Sequence, residues 1–162
     1  MTPSDANFYG KVFGGRILAL MDLCAYVTAG RYSGEVCVTA SFDRVDFHEA
    51  IEVGEVVSFT GSITYVGHTS MEVTIEVYAE NVIHGARRHT NTARVTMVAI
   101  KDNRPTEVPP LLCETRDEKI KFLEGRLRRE NRTSLDRFQS EMAATIESDT
   151  DEHIDRLLSQ SR

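Results

Sequence analysis

The sequence predicts an α+β fold: one long central helix wrapped by a curved antiparallel sheet, with a C-terminal helical extension. Three observations predict it. The run from Arg16 to Arg31 is apolar on all sides, as in a helix buried on most faces. The stretch from Val36 to Ile100 alternates apolar and polar residues in four long segments set at hairpin distance. Beyond Glu130 the chain is polar, with only sparse apolar stripes at helical spacing.

Residues 1–13 are turn-rich and then briefly apolar at Phe8, Tyr9, Val12 and Phe13, which reads as a loop with a short strand or turn. Gly14-Gly15 opens the helix, and Gly30 is the expected stop. In the first strand Val36, Val38, Ala40 and Phe42 alternate with polar neighbours. The parity changes at Val45 and Phe47, which places a bulge or bend near Asp43-Arg44. The Ile51–Glu55 turn follows. Val57, Phe59, Gly61, Ile63 and Tyr65 then form the dry side of a second strand, and Gly67-His68-Thr69-Ser70 the hairpin after it. Met71, Val73, Ile75, Val77 and Ala79 mark a third strand. Residues 81–86 form a loop before a last strand from about Arg88 to Ile100.

Lys101–Pro110 reads as a polar linker. The domain is therefore expected over residues 1–110, and a partly mobile helical extension over 111–162. Thr115-Arg-Asp-Glu118 is a capping box, followed by a narrow stripe at Ile120, Leu123 and Leu127. Later stripes fall at Leu135, Phe138 and Met142, and at Ile154, Leu157 and Leu158. These read as peripheral helices able to pack on a partner subunit.

Composition narrows the classes. At 162 residues and 41% hydrophobic, the chain fits one domain with a short appendage. Its 19 basic and 25 acidic residues give a net charge of −6, which argues against nonspecific nucleic-acid binding. Cys24, Cys37 and Cys113 make an odd set without a C-x-x-C, so neither a disulfide framework nor a zinc site is expected, and a reducing cytoplasm is. The first residues show no signal-peptide pattern. The apolar run Ile17–Ala29 is too short, and too interrupted by Asp22, to span a bilayer. His48 and His68 lack metal-ligand spacing, so no metal is assigned.

Asp22 is the sharpest chemical feature, the only charge between Arg16 and Arg31. A carboxylate in a buried helix is either satisfied by local donors, or faces a subunit seam, or works as a general base or nucleophile. Gly14-Gly15 leaves helix-start amides uncovered, where a developing oxyanion can sit, though a tight turn also asks for glycine. Asn7 alone reads as a turn residue, and Gly67–Ser70 as a hairpin able to offer amides to a phosphate.

As an ordered set, these pieces resemble one family. Asn7-Phe-Tyr-Gly10-Lys-Val-Phe-Gly14-Gly15-Arg-Ile-Leu-Ala-Leu-Met-Asp22 looks like the signature of hotdog-fold acyl-CoA thioesterases of the acyl-CoA hydrolase type, both the brain-type cytosolic enzymes and small prokaryotic ones. The likeness continues at Val38-Thr39-Ala40-Ser41, Val45-Asp46-Phe47-His48, Val53-Gly54-Glu55-Val56, Gly67-His68-Thr69-Ser70-Met71-Glu72, and Glu114–Gly125. It covers roughly residues 3–129. The resemblance implies hydrolysis of acyl-CoA to a free acid and coenzyme A, without a cofactor. It implies Asn7 and Asp22 as a catalytic pair from different subunits, with Gly14 and Gly15 polarising the carbonyl. It implies coenzyme A contacts at Gly67, His68, Thr69 and Ser70, and a homohexamer built from dimers of hotdogs. Arg87 and Arg88 are phosphate candidates by charge and position. Phe13 stands where some relatives carry His. An acyl-thioester dehydratase would want a His in the helix, and none is there. A non-catalytic acyl-CoA sensor is the remaining alternative, opposed by an intact Asn7 and Asp22.

Overall fold

The computed structural model describes every residue except Arg44, His84, Ser161 and Arg162. In the last helix the side chains of Glu152, His153, Leu157, Leu158 and Gln160 are also outside the described set. The expected apolar pair Leu157-Leu158 and half of the expected Asp43-Arg44 bend therefore lie outside the described residues.

Helix α1 spans Gly14–Ser33. It runs past Gly30 and ends at Gly34, which takes φ 72° and donates its amide to the Gly30 carbonyl at 2.9 Å. Gly30 is thus inside the helix, and the glycine that meets the left-handed requirement of the cap is four residues on. Ile17, Met21, Ala25 and Ala29 recur at four-residue spacing and bury one stripe. Leu23, Tyr26 and Val27 remain exposed, so a single chain covers one face of α1 rather than most of it.

The sheet contains β1 (Val36–Phe42), β2 (Asp46–Phe47), β3 (Val56–Val66), β4 (Ser70–Asn81), β5 (Ala86–Lys101) and β6 (Arg104–Pro105). The long strands lie in the order β1-β5-β4-β3, all antiparallel, with β2 and β6 also on β5. Register shifts that leave one extra residue in each of β1, β3 and β5 add local twist, which lets the sheet curl around α1. The core lies between them: Val73, Ile75, Val77, Ala93, Val95 and Met97 have no exposed surface.

Three details differ from the sequence reading. The shift in β1 falls between Thr39 and Ser41, ahead of the expected bend. In that strand Cys37 is buried while Val36 and Val38 are exposed, so the alternation marked the face that one chain leaves bare. Residues 101–110 are not a linker. Asp102 and Asn103 adopt φ 50° and 59° and turn the chain back into β6. Val108 is then buried, its amide bonded to the His68 carbonyl at 3.0 Å.

The capping box forms as read. Glu118 Oε2 accepts the Glu114 and Thr115 amides, and Thr115 Oγ1 accepts the Glu118 amide. It starts a single long helix, α2 (Arg116–Glu147), which carries both the Ile120–Leu127 and the Leu135–Met142 stripes, and α3 (Asp151–Gln160) follows. The chain divides into two compact units, Met1–Phe122 and Leu123–Arg162, so the first extends beyond residue 110. In the second, Leu127, Leu135, Phe138 and Met142 are exposed on α2. No helix among the described residues is long and apolar enough to cross a membrane.

One ion pair gives the first unit a pH dependence. Glu55, 6% exposed, receives two bonds from Arg88 at 2.5 and 2.9 Å. Those bonds hold its carboxyl below the ordinary 4.5. A lowered folded-state value means that Glu55 stabilises above 4.5 and that this stabilisation is lost as pH falls through the folded value. Thermal melts should therefore separate wild type from Glu55→Gln most widely near neutrality, with the gap closing in acid. A gap unchanged by pH would contradict this.

Candidate functional site

The N-terminal loop fixes Asn7 through its own carbonyl oxygen. Asn7 Oδ1 accepts the amides of Tyr9 at 2.9 Å and Lys11 at 3.1 Å. The Asn7 amide donates to the Lys11 carbonyl at 2.7 Å, and Gly10 turns the chain at φ 75°. Both partners of Oδ1 are donors, so the orientation of the carboxamide is settled by chemistry. Among the described residues the Asn7 Nδ2 group has no acceptor, so it is a donor held ready.

This loop is tied to the start of α1. The Asp5 carbonyl accepts the Phe13 amide at 2.8 Å, and Asp5 Oδ1 accepts Arg16 Nε at 3.0 Å. Hydrogen bonds from the Thr2 amide and hydroxyl, then Arg16, hold the Asp5 carboxyl below its usual range. Phe13 occupies the N-cap and makes no side-chain cap. No described residue accepts from the Gly14 or Gly15 amide, so both N–H groups are open, with the helix dipole behind them. A Cβ on Gly15 would come within 2.7 Å of the Phe13 ring, so the glycine lets that ring lie over the helix start.

Asn7 and Gly15 line one open cavity of 830 Å³, together with Phe8, Tyr9, Phe13 and Arg16. Phe8 and Tyr9 are almost fully exposed. Asp22 does not line this cavity. It lies two helical turns further along α1, half-buried, where Thr39 Oγ1 donates to its Oδ1 at 2.5 Å. Thr39 shares with Cys37 the strand face that looks toward α1, and the β1 register shift comes directly after it. The chain thus gathers Asn7 with Gly15 in one cavity, which Gly14 does not line, and leaves Asp22 apart, next to the uncovered face of α1.

Gly67–Ser70 joins β3 to β4, with the Gly67 amide on the Ser70 carbonyl at 2.7 Å. Gly67 and His68 edge a separate cavity of 320 Å³ with Val66, Glu107, Val108 and Phe122. Arg87 and Arg88 lie on β5 beside the far end of β4: Ser70 pairs with Val98 and Glu80 with Arg87, so the two places are about 33 Å apart at 3.3 Å per residue. Within one chain the six coenzyme A candidates do not form one site. Arg87 stacks 4.3 Å over the Tyr78 ring. Arg88 is withdrawn as a phosphate partner, because its fork is filled by Glu55, Glu49 at 2.8 Å and the Ala50 carbonyl at 2.7 Å. No group of three or more metal-ligating side chains occurs among the described residues.

Sequence reasoning assigned no role to Thr39. The residue appeared there only as part of Val38-Thr39-Ala40-Ser41, and a threonine in a strand carries no signal of its own.

Comparison with known proteins bears on the same residues. Residues 9–86 match the Thioesterase superfamily model. Protein VdlD of Helicobacter pylori is 41% identical over 129 residues, covering 80% of this chain and 74% of VdlD. The cytosolic acyl coenzyme A thioester hydrolase of Rattus norvegicus is 36% identical over 127 residues, 76% of this chain but 33% of that longer protein. Among solved structures, the acyl-CoA hydrolase of Bacillus cereus superposes with a TM-score of 0.79 at 37% identity, over 90% of this chain and 89% of that one. A hexameric acyl-CoA thioesterase gives 0.79 and 37% over 83% and 86%. The acyl-CoA hydrolase of Staphylococcus aureus, solved with butyryl coenzyme A and coenzyme A, gives 0.79 and 29% over 92% and 91%. Solved variants of the Staphylococcus enzyme replace an Asn, an Asp and a Thr by Ala, and those three are spaced along its chain as Asn7, Asp22 and Thr39 are spaced here.

Proposed function

Because the chain belongs to the thioesterase superfamily, among its acyl-CoA thioester hydrolases, we propose that it hydrolyses acyl-CoA at sites shared between two subunits. Each site takes Asp22 from one subunit, and Asn7 with the Gly14 and Gly15 amides from the other. The observation that carries this reading is the split within one chain. Asn7 and Gly15 line one cavity, with Gly14 adjacent to Gly15 in sequence, and the Thr39-held carboxylate stands elsewhere, beside exposed Leu23, Tyr26 and Val27. A second copy covering that apolar face would bring the two halves together. Exposed Val36 and Val38 on the edge strand β1 give the same copy a sheet edge to extend.

The chemistry then balances as follows. Asp22 takes a proton from water, and the hydroxide oxygen bonds to the thioester carbon. The resulting oxyanion accepts hydrogen bonds from the Gly14 and Gly15 amides. The C–S bond breaks, the thiolate of coenzyme A takes the proton back, and the free acid leaves. Alternatively Asp22 attacks directly and water opens the acyl-aspartyl anhydride. ¹⁸O found in Asp22 after a single turnover in ¹⁸O-water identifies direct attack, with water opening the anhydride at the aspartyl carbonyl. Asn7 Nδ2 donates to the carbonyl oxygen or the water. Gly67–Ser70 contacts coenzyme A, with Arg87 as a phosphate partner from a neighbouring subunit. The assembly is a hexamer of three such dimers in a reducing cytoplasm, in keeping with free Cys24, Cys37 and Cys113.

Release of free thiol from a panel of acyl-CoAs, short to long, tests the reading. Turnover on at least one is expected, and none by folded protein would overturn it. Asn7→Asp is the sharper variant. It keeps the oxygen that holds the Tyr9 and Lys11 amides and removes the donor, so the fold should stay while kcat falls by about 10²-fold. Unchanged kcat in Asn7→Asp would remove Asn7 from the chemistry.

A further inference from the structure

We propose that Asn91 is a positioning residue for the Gly14 and Gly15 amides, acting through Phe47; the proposal rests on the role given to those amides above. Asn91 lies on β5 with no exposed surface, among core positions otherwise filled by Ala93, Val95 and Met97. Its Nδ2 donates to the Asp46 carbonyl at 3.1 Å, while its Oδ1 is buried without a partner among the described residues. A buried carbonyl with no donor is a standing penalty that an apolar residue of the same size would remove. The residue is therefore not there for stability alone.

Its one bond holds β2. That strand is two residues long and pairs only Asp46 with Thr92 and Phe47 with Asn91. Main-chain bonds from the Asp43 amide to the Arg94 carbonyl and from the His48 amide to the Thr90 carbonyl flank this short ladder, and the Asn91 side chain adds a side-chain bond to the Asp46 carbonyl. Phe47 follows, and its ring stands against Gly14: a Cβ there would be 3.4 Å from the ring edge. Phe47 thus bounds the helix start on one side, as the Phe13 ring does at Gly15. With no side-chain cap on α1, these contacts and the Asp5 tether set where the two open amides sit. Misplacement of such donors by a fraction of an ångström lowers the rate without lowering affinity for the rest of the substrate.

The test uses the full chain with Asn91→Leu, Phe47→Leu and the double variant. In Asn91→Leu the melting temperature is expected to hold or rise while kcat drops about tenfold, with KM changed less than twofold. Phe47→Leu, a change at a half-exposed ring, should give the same split. The double variant should be no worse than either single one. Hydrogen exchange at residues 13–17 should quicken in both single variants. That readout needs no turnover, so it judges Asn91 even if the chain hydrolyses no acyl-CoA, an outcome that would sink the functional reading instead. Wild-type kcat in a folded Asn91→Leu, additive losses in the double variant, or unchanged exchange at the helix start would each overturn the proposal.

Discussion

Asp22→Ala should fold as the wild type does and lose acyl-CoA hydrolysis by on the order of 10²–10⁴-fold, the range of a positioned acid–base group. Folding should survive because Asp22 is half-buried and is held by the Thr39 hydroxyl rather than by a buried counter-charge. Removing it strands no ion. Thr39 keeps a second, weaker contact at 3.4 Å to the Met97 sulfur. The loss should appear in kcat, since on either proposed route the carboxylate acts at the reacting thioester and not on the coenzyme A moiety. Thr39→Val should fall between wild type and Asp22→Ala. It removes one hydrogen bond to a charged group, about 1.5–3 kcal/mol, which is roughly ten- to a hundredfold in rate. Thiol release and circular dichroism on the same samples check both, and a Thr39→Val as inert as Asp22→Ala would give Thr39 a larger part than orienting the carboxylate.

The second large effect is on stability. Gly61→Val should destabilise the chain by roughly 3 kcal/mol, near the upper end for overpacking. At Gly61 the side chains of Cys24 and Thr28 on α1 pack directly onto β3. A Cβ there would sit 3.1 Å from Cys24 Sγ and 3.2 Å from Thr28 Cβ, and closer still to Thr28 Oγ1. Thr28 cannot simply swing away, because its hydroxyl donates to the Cys24 carbonyl at 2.8 Å and its Cβ is fixed to the helix. The double variant Gly61→Ala/Thr28→Ala should regain most of what Gly61→Ala alone loses. Chemical denaturation measures this, and equal stability of Gly61→Val and wild type would show that α1 can lift off β3 freely.

Much of the fold could be read in the sequence because its signals are local. Period-2 alternation marked β3, β4 and β5 nearly to their ends, and the long apolar run marked α1. What escaped depended on non-local geometry. Two glycines lie near the end of α1, and only backbone conformation selects Gly34 over Gly30. Residues 101–110 look like a polar linker, yet a left-handed Asp102-Asn103 pair turns them back onto β5. The apolar sides of α1 and β1 read as core, whereas one chain buries only part of them. That surplus is what a paired subunit would use.

The candidate site divides the same way. Asp22 stood out as a lone charge in an apolar run, and Asn7 and the glycine pair came with the family resemblance. Thr39 needed the structure, since its contact with Asp22 joins a helix to a strand. So did the state of Arg88. Charge and position made it a phosphate candidate, and only the fold shows its fork closed on Glu49 and Glu55.

The most direct test of a shared site is to mix two inactive chains. Asn7→Ala and Asp22→Ala would be purified separately, unfolded together and refolded, and thiol release measured. Each mixed dimer then holds one site with wild-type Asn7 and wild-type Asp22, so random pairing should restore about a quarter of wild-type activity. Activity no higher in the mixture than in either parent, with mixed oligomers present by mass, would mean that Asn7 and Asp22 do not meet across a subunit boundary.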